Sequence, residues 1–356
     1  MKRIAVGLIG LIVGTLLFGA AIPAWAQSAV KDSAGTVTAA NAKKQSWFQE
    51  KFSGSFVEAG LYVGSGSFYA TGYRNPYLSG SLYIRPRFNL GTKVQLSLNA
   101  RIYQLLEFTQ PDEPTDRRWV PLDTWVWLSA GNLFTEKRTG IKLSGQFRIV
   151  IPSSYESVYS NLALGMALGF SLSKNFKLPK DVGISLSLGA VATKNFHRHI
   201  YRGNGPGDTT GCRGLSNPSA AGTAAIGEIA TVSDTDTCGG SLNTSVSVVS
   251  SGSLGLSWKK LSFGVTLIFV SAFKYSFPKD QFTSTHAVSR GQVDSTWGLL
   301  SVGYDINDHF GLSLGLSSSQ PAKTADNKGY RFPFFDFQSG NYANNTQVFA
   351  SVAGTL

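Results

Sequence analysis

The sequence predicts an all-β chain, a transmembrane antiparallel up-and-down β-barrel of about twelve strands, with short turns at one end and long loops at the other. Three observations lead there. Apolar and polar residues alternate over unusually long stretches, the stretches are even in number, and the segments joining them are by turns short and long. Composition agrees: only 15% of residues are charged against about 25% in soluble domains. Glycine (39) is abundant and methionine (2) scarce, a mix that suits strands and turns.

The chain opens with a targeting segment. Lys2 and Arg3 form a basic start, Ile4 to Ile22 is almost uninterruptedly apolar, and Ala24-Trp25-Ala26 fits the small-x-small cleavage rule. Residues 1–26 therefore read as a signal peptide and Gln27 as the first mature residue. A permanent spanning helix is the alternative, disfavoured because a cleavage site follows at once and no charged anchor does. Beyond residue 26 no apolar run approaches the ~18 residues of a spanning helix. Losing Lys2 and Arg3 lowers the formal net charge from +11 to +9; the remaining charge is spread, with no basic block, so no nucleic-acid partner is expected.

The stretch VGISLSLGAVATKNF (182–196) sets the pattern: Ile184, Leu186, Leu188, Ala190 and Ala192 share one parity, and Gly183, Ser185, Ser187, Gly189 and Thr193 the other. Successive side chains of a strand point to opposite faces, so this is one apolar and one small polar face. The same reading marks strands near 52–63, 77–90, 93–108, 119–131, 139–151, 158–173, 182–196, 244–258, 261–275, 288–305, 309–318 and 345–356. Most exceed soluble strands and match the ~9–11 tilted residues that cross a bilayer. Strands 119–131 and 288–305 alternate poorly; Trp125 and Trp127 share the parity of Asp123, which a bulge would explain. Short links (89–92, 133–138, 174–181, 259–260, 306–308) alternate with mostly longer ones (64–76, 109–118, 152–157, 197–243, 276–287, 319–344). A soluble sandwich has no reason to sort its loops that way, whereas a barrel does, and only closure satisfies every backbone group in lipid.

Residues 51–356 thus resemble a Gram-negative outer-membrane β-barrel of about twelve strands. Such barrels often end on phenylalanine after alternating apolar residues; here Val348, Ala350 and Val352 alternate, Gly354 interrupts and Leu356 is last. The stretch SLGLSSSQPAKTADNKGYRFPFFDF (313–337) resembles a segment of uncharacterised outer-membrane proteins of Deltaproteobacteria, a likeness that implies no function. The barrel resemblance implies residence in the cell outer membrane after export, the lipid bilayer and the barrel-assembly machinery as partners, periplasmic turns and extracellular loops. Residues 27–50 then read as a periplasmic N-terminal segment or a short plug, with Trp47, Phe48 and Trp258 as anchors at the inner interface.

With the apolar parity in lipid, the other parity lines the lumen. It brings in Tyr83, Arg85, Arg87, Lys93, Arg101, Lys142, Arg148 and Lys274, with Glu58, Glu107, Asp123 and Asp294 as the acids, a lining that leans basic. The expectation is a narrow passive channel for small solutes with an anion preference, because charged rings set ion preference. Arg/Lys to Asp/Glu networks that only brace the wall are the structural alternative. Cys212 and Cys238 share one Gly/Ser/Thr-rich loop and are expected to form a disulfide in an oxidising compartment. His197 and His199 make an H-x-H pair without a third ligand, so neither a metal site nor a cofactor is expected. Some twelve-stranded outer-membrane barrels are phospholipases, but their HxSNG signature is absent, which makes a lipid hydrolase the least favoured reading, and no catalytic residue is assigned. The long loops 197–243 and 319–344, the second rich in Tyr330, Phe332, Phe334, Phe335 and Phe337, keep open a structural or receptor barrel with a plugged lumen.

Overall fold

The computed structural model describes residues 46–68, 77–109, 119–200, 242–275, 291–323, 329–331 and 346–356. Strand segments β1 (Phe56–Gly64), β2 (Leu78–Arg85), β3 (Arg87–Gly91), β4 (Leu96–Glu107), β5 (Trp119–Pro121), β6 (Thr124–Thr135) and β7 (Lys142–Ile151) form the first half. The second half holds β8 (Leu162–Leu178), β9 (Val182–His197), β10 (Thr244–Trp258), β11 (Leu261–Lys274), β12 (Gln292–Asp305), β13 (Phe310–Pro321) and β14 (Thr346–Thr355). Two wall strands are interrupted. Pro86 has no N–H to give and separates β2 from β3, which both pair with β4. Leu122 and Asp123 likewise separate β5 from β6, again both on β4. Counted as wall strands the ring has 12 members. It closes because β1 pairs with β14 on one side, from Phe56↔Thr355 to Gly64↔Gln347, and with β2 on the other.

Closure leaves no strand edge, so every wall strand has two backbone partners. The outward parity then decides what surrounds the barrel. Leu188 is 66% exposed, and Leu168 and Phe310 are each 53% exposed, within a belt of exposed Leu, Val, Ile and Phe around the ring. Water would penalise a patch of that size heavily, whereas hydrocarbon does not. Aromatic residues mark both rims of the belt. Phe134, Phe176, Trp258, Tyr304 and Phe310 stand exposed at the turn end, and Phe108, Trp119, Phe196 and Phe273 at the loop end. The barrel crosses a membrane.

Strand limits follow the alternation closely, with 244–258 matching end to end. The differences have local causes. Residues 47–52 form a short helix, α1 (Trp47–Phe52), so the first strand starts at Phe56 and not at 52; Ser46 and Gln49 make a capping box at the helix start. Lys93 lies in the turn between β3 and β4 and not on a lumen face. Trp125 and Trp127 need no bulge: they share the inward parity with their partners Arg101 and Asn99, and the irregularity falls later, between Ala130 and Phe134. Asp294 pairs with Ser271 on the outward parity, where it accepts hydrogen bonds from Ser271 Oγ (2.8 Å) and Gln292 Nε2 (2.8 Å).

The interior is partly dry. Tyr62, Ile268, Leu299 and Phe349 are buried together, with Tyr77, Val249, Val270 and Trp297 against them. Gly315 lies opposite Phe349, and a Cβ there would stand 2.7 Å from its ring, so glycine makes the room the aromatic occupies. A second cluster joins Phe56, Tyr83 and Tyr103, with Leu122 packed on it.

Candidate functional site: the inner wall

The alternation of β2, β4, β6 and β7 turns their largest polar side chains inward. Register puts Tyr83 opposite Tyr103 and Arg87 opposite Asn99, so Arg85, between them, faces Arg101. Arg101 in turn faces Trp125, and Arg148 faces Trp127. The guanidinium carbon of Arg101 lies 3.8 Å from the centre of the Trp125 ring and that of Arg148 lies 4.1 Å from it. Arg85 lies 4.4 Å over Phe56 and reaches the Gly54 carbonyl through Nη2 (3.4 Å). Weakly hydrated guanidinium groups accept aromatic faces in place of water, so the aromatic residues hold these cations inside the barrel. Below them Ser97, Asn99 and Ser129 are linked, with Asn99 Nδ2 donating to Ser129 Oγ (3.0 Å) and the two serine hydroxyls 2.8 Å apart.

The other candidates spread along the barrel axis. Glu58 is buried beside Tyr83 on the β1–β2 pair. Glu107 sits at the loop end and accepts from the Tyr77 hydroxyl (3.4 Å). Arg87 is at the turn end, its Nε donating to Asn89 Oδ1 (2.9 Å). Lys142 is exposed at the turn rim opposite Thr135 and Ser173, and Lys274 is at the loop rim opposite Thr244. Asp123 stands two residues before the inward Trp125, level with Tyr103. It lies at the break between β5 and β6 and accepts from the N–H groups of Ser153 (3.0 Å) and Ser154 (2.9 Å) and from Ser157 Oγ (2.6 Å). Its carboxylate thus pins the segment entering the short helix α2 (Tyr155–Tyr159). The structure therefore gathers Tyr83, Arg85, Arg101 and Arg148 at mid-barrel with Glu58 and Asp123 beside them, and leaves Lys142, Lys274 and Glu107 at the rims.

Across the barrel the wall is different. The inward parity of β8, β9, β10 and β13 carries Ser171, Ser173, Ser185, Ser187, Gly189, Ser251, Ser253 and Ser313, none of them fully buried. Toward the loop end the same strands and their neighbours turn Val191, Val249, Ile268, Val270, Trp297 and Leu299 inward. These apolar lumen residues were missed. The run Val265-Thr266-Leu267-Ile268-Phe269-Val270 is apolar on both parities, which is the mark of a strand buried on two faces.

His197 is committed to holding the loop end: its Nδ1 faces the Ser160 carbonyl (2.7 Å) and its Nε2 the Thr244 carbonyl (3.2 Å). Among the described residues no three His, Cys, Asp or Glu side chains form a metal-sized group. Cys212, Cys238 and most of the two long loops lie outside the described residues. At the turn end α1 lies against the rim. Phe52 meets Phe88 edge-on at 5.4 Å, and Asn89 Nδ2 donates to the carbonyls of Glu50 (3.1 Å) and Ser53 (3.0 Å). Trp47 and Phe48 are exposed there, while 27–45 lie outside the described residues.

No family model and no curated protein matches the chain, so the expected likeness to Deltaproteobacterial outer-membrane proteins finds no support. Solved structures do match in shape. An outer membrane channel from Pseudomonas putida F1 aligns at 9% identity and a TM-score of 0.45, covering 85% of this chain and 96% of that one. The NanC porin aligns at 8% identity and a TM-score of 0.39, over 85% and 98%. The translocator domain of the autotransporter NalP from Neisseria meningitidis aligns at 10% identity and a TM-score of 0.36, over 92% and 93%.

Proposed function

We propose that the chain is an outer-membrane β-barrel serving as a narrow passive channel for small solutes with an anion preference. The observation that carries this reading is the imbalance of the inner wall. Arg85, Arg87, Arg101 and Arg148 share the inward parity, against the acids Glu58, Glu107 and Asp123 among the described residues of this side of the wall. Fixed positive charge in a low-dielectric tube raises the local anion concentration and repels cations. The small-residue wall opposite is the path such a solute would follow. The signal peptide and the apolar belt with its aromatic rims support export and insertion into the outer membrane, with the barrel-assembly machinery as the biogenesis partner.

A plugged structural or receptor barrel is the second reading, favoured by the two dry interior clusters. One experiment separates them. Reconstituted into planar bilayers under a potassium chloride gradient, the channel yields discrete conductance steps and a reversal potential on the chloride side. An absence of steps supports the plugged barrel, and a reversal potential on the potassium side refutes the anion preference.

A further inference from the structure

Buried charge without a partner is costly, and the inner wall holds such charge in an unusual place. Arg101 is only 3% exposed, yet its Nε and Nη1 donate to no protein group. The buried Nε of Arg148 is equally without an acceptor, while its Nη2 reaches only the neutral Gln146 Oε1 (3.4 Å). The two side chains come from β4 and β7, the strands on either side of β6, and both lie over Trp125. The acid that acts on Arg101 is Asp123, whose carboxylate already receives three hydrogen bonds from the segment 153–157. The indole face compensates the guanidinium planes but cannot accept their in-plane N–H donors.

We propose that Arg101 and Arg148 form a binding site for one small oxyanion, of the carboxylate or phosphate class, at mid-barrel. The proposal deepens the channel reading and rests on it for its physiological sense, not for its chemistry. An oxyanion offers several lone pairs to orphaned guanidinium donors and neutralises two like charges at once. Trp125 keeps both groups oriented, so little side-chain freedom is lost on binding.

The test uses the full mature chain in detergent, at constant ionic strength set with sodium chloride, titrated calorimetrically with sodium acetate or with inorganic phosphate. Saturable binding of either is expected. Arg101→Gln and Arg148→Gln are each expected to weaken it about tenfold or more, since a hydrogen bond to a charged group is lost. Lys260→Gln, which removes one positive charge from a distant turn, is expected to leave it unchanged. Saturation by neither anion overturns the proposal, and so does an equal loss in Lys260→Gln, which would mean bulk attraction only. Folding of each variant is read from the heat-dependent electrophoretic shift. Should the glutamine variants not fold, Arg101→Lys keeps the charge but loses the fork, and unweakened binding there overturns the proposal as well. Because binding is read without a membrane current, a barrel that binds but does not conduct refutes the channel alone, and one that conducts but does not bind refutes the site alone.

Discussion

The inner faces of the two halves of this barrel differ as much as their outer faces agree. From β1 to β7 the inward residues include large aromatic and charged side chains, and Tyr62, Tyr83, Tyr103 and Arg101 are all 3% exposed or less. From β8 to β10 the inward parity is mostly serine and glycine and stays reachable. Hydrocarbon makes one demand of every strand, so the outside is uniform. The lumen makes none in common, so β1 to β7 and β11 to β14 carry packed side chains inward while β8 to β10 carry mostly small ones.

If that division is real, the halves must respond unequally to the same kind of change. Trp125→Ala removes the ring that both Arg101 and Arg148 lie over, and is expected to cost about 3 kcal/mol in urea unfolding from lipid vesicles. Ser253→Ala, on the open wall, is expected to stay within about 0.5 kcal/mol of the parent. Equal costs would erase the distinction. The converse change tests space. Ser187→Trp is expected to lower single-channel conductance by roughly half, because it fills the wall that the proposed path follows. An unchanged conductance would move the path elsewhere and break the comparison from the other side.

Legibility followed the same division. The lipid-facing parity of VGISLSLGAVATKNF and of 244–258 was readable because the solvent imposes it residue by residue, and their limits were found almost to the residue. The arginine positions were readable from parity alone. Their surroundings were not, because nothing in the alternation says that Trp125 lies over two cations brought by β4 and β7; that is decided by register across three strands. The inward Ile268, Val270 and Leu299 were hidden for a related reason: a both-faces-apolar run looks like a stronger lipid signal until the dry interior is seen. The second task of Asp123 was not legible, because nothing in the alternation says that a carboxylate at a strand break also holds local backbone donors. The start of β1 was placed four residues early because the apolar Phe52 belongs to a rim helix.

The smallest effect asks whether the tightness of the first half extends to its turns. Glu136, in the turn joining β6 to β7, accepts from the Thr139 hydroxyl and from the N–H groups of Arg138 and Thr139. These donors favour the carboxylate and hold its pKa at about 2, down from an ordinary 4.5, with the Thr139 hydroxyl the largest contributor. A depressed pKa means that the stabilisation is present above about 4.5 and is lost as pH falls through about 2. The Thr139 amide resonance should therefore titrate with a midpoint near 2, and not at all in Glu136→Gln. A midpoint at the ordinary carboxylate value would show a loose turn, and would confine the rigidity of this half to the wall itself.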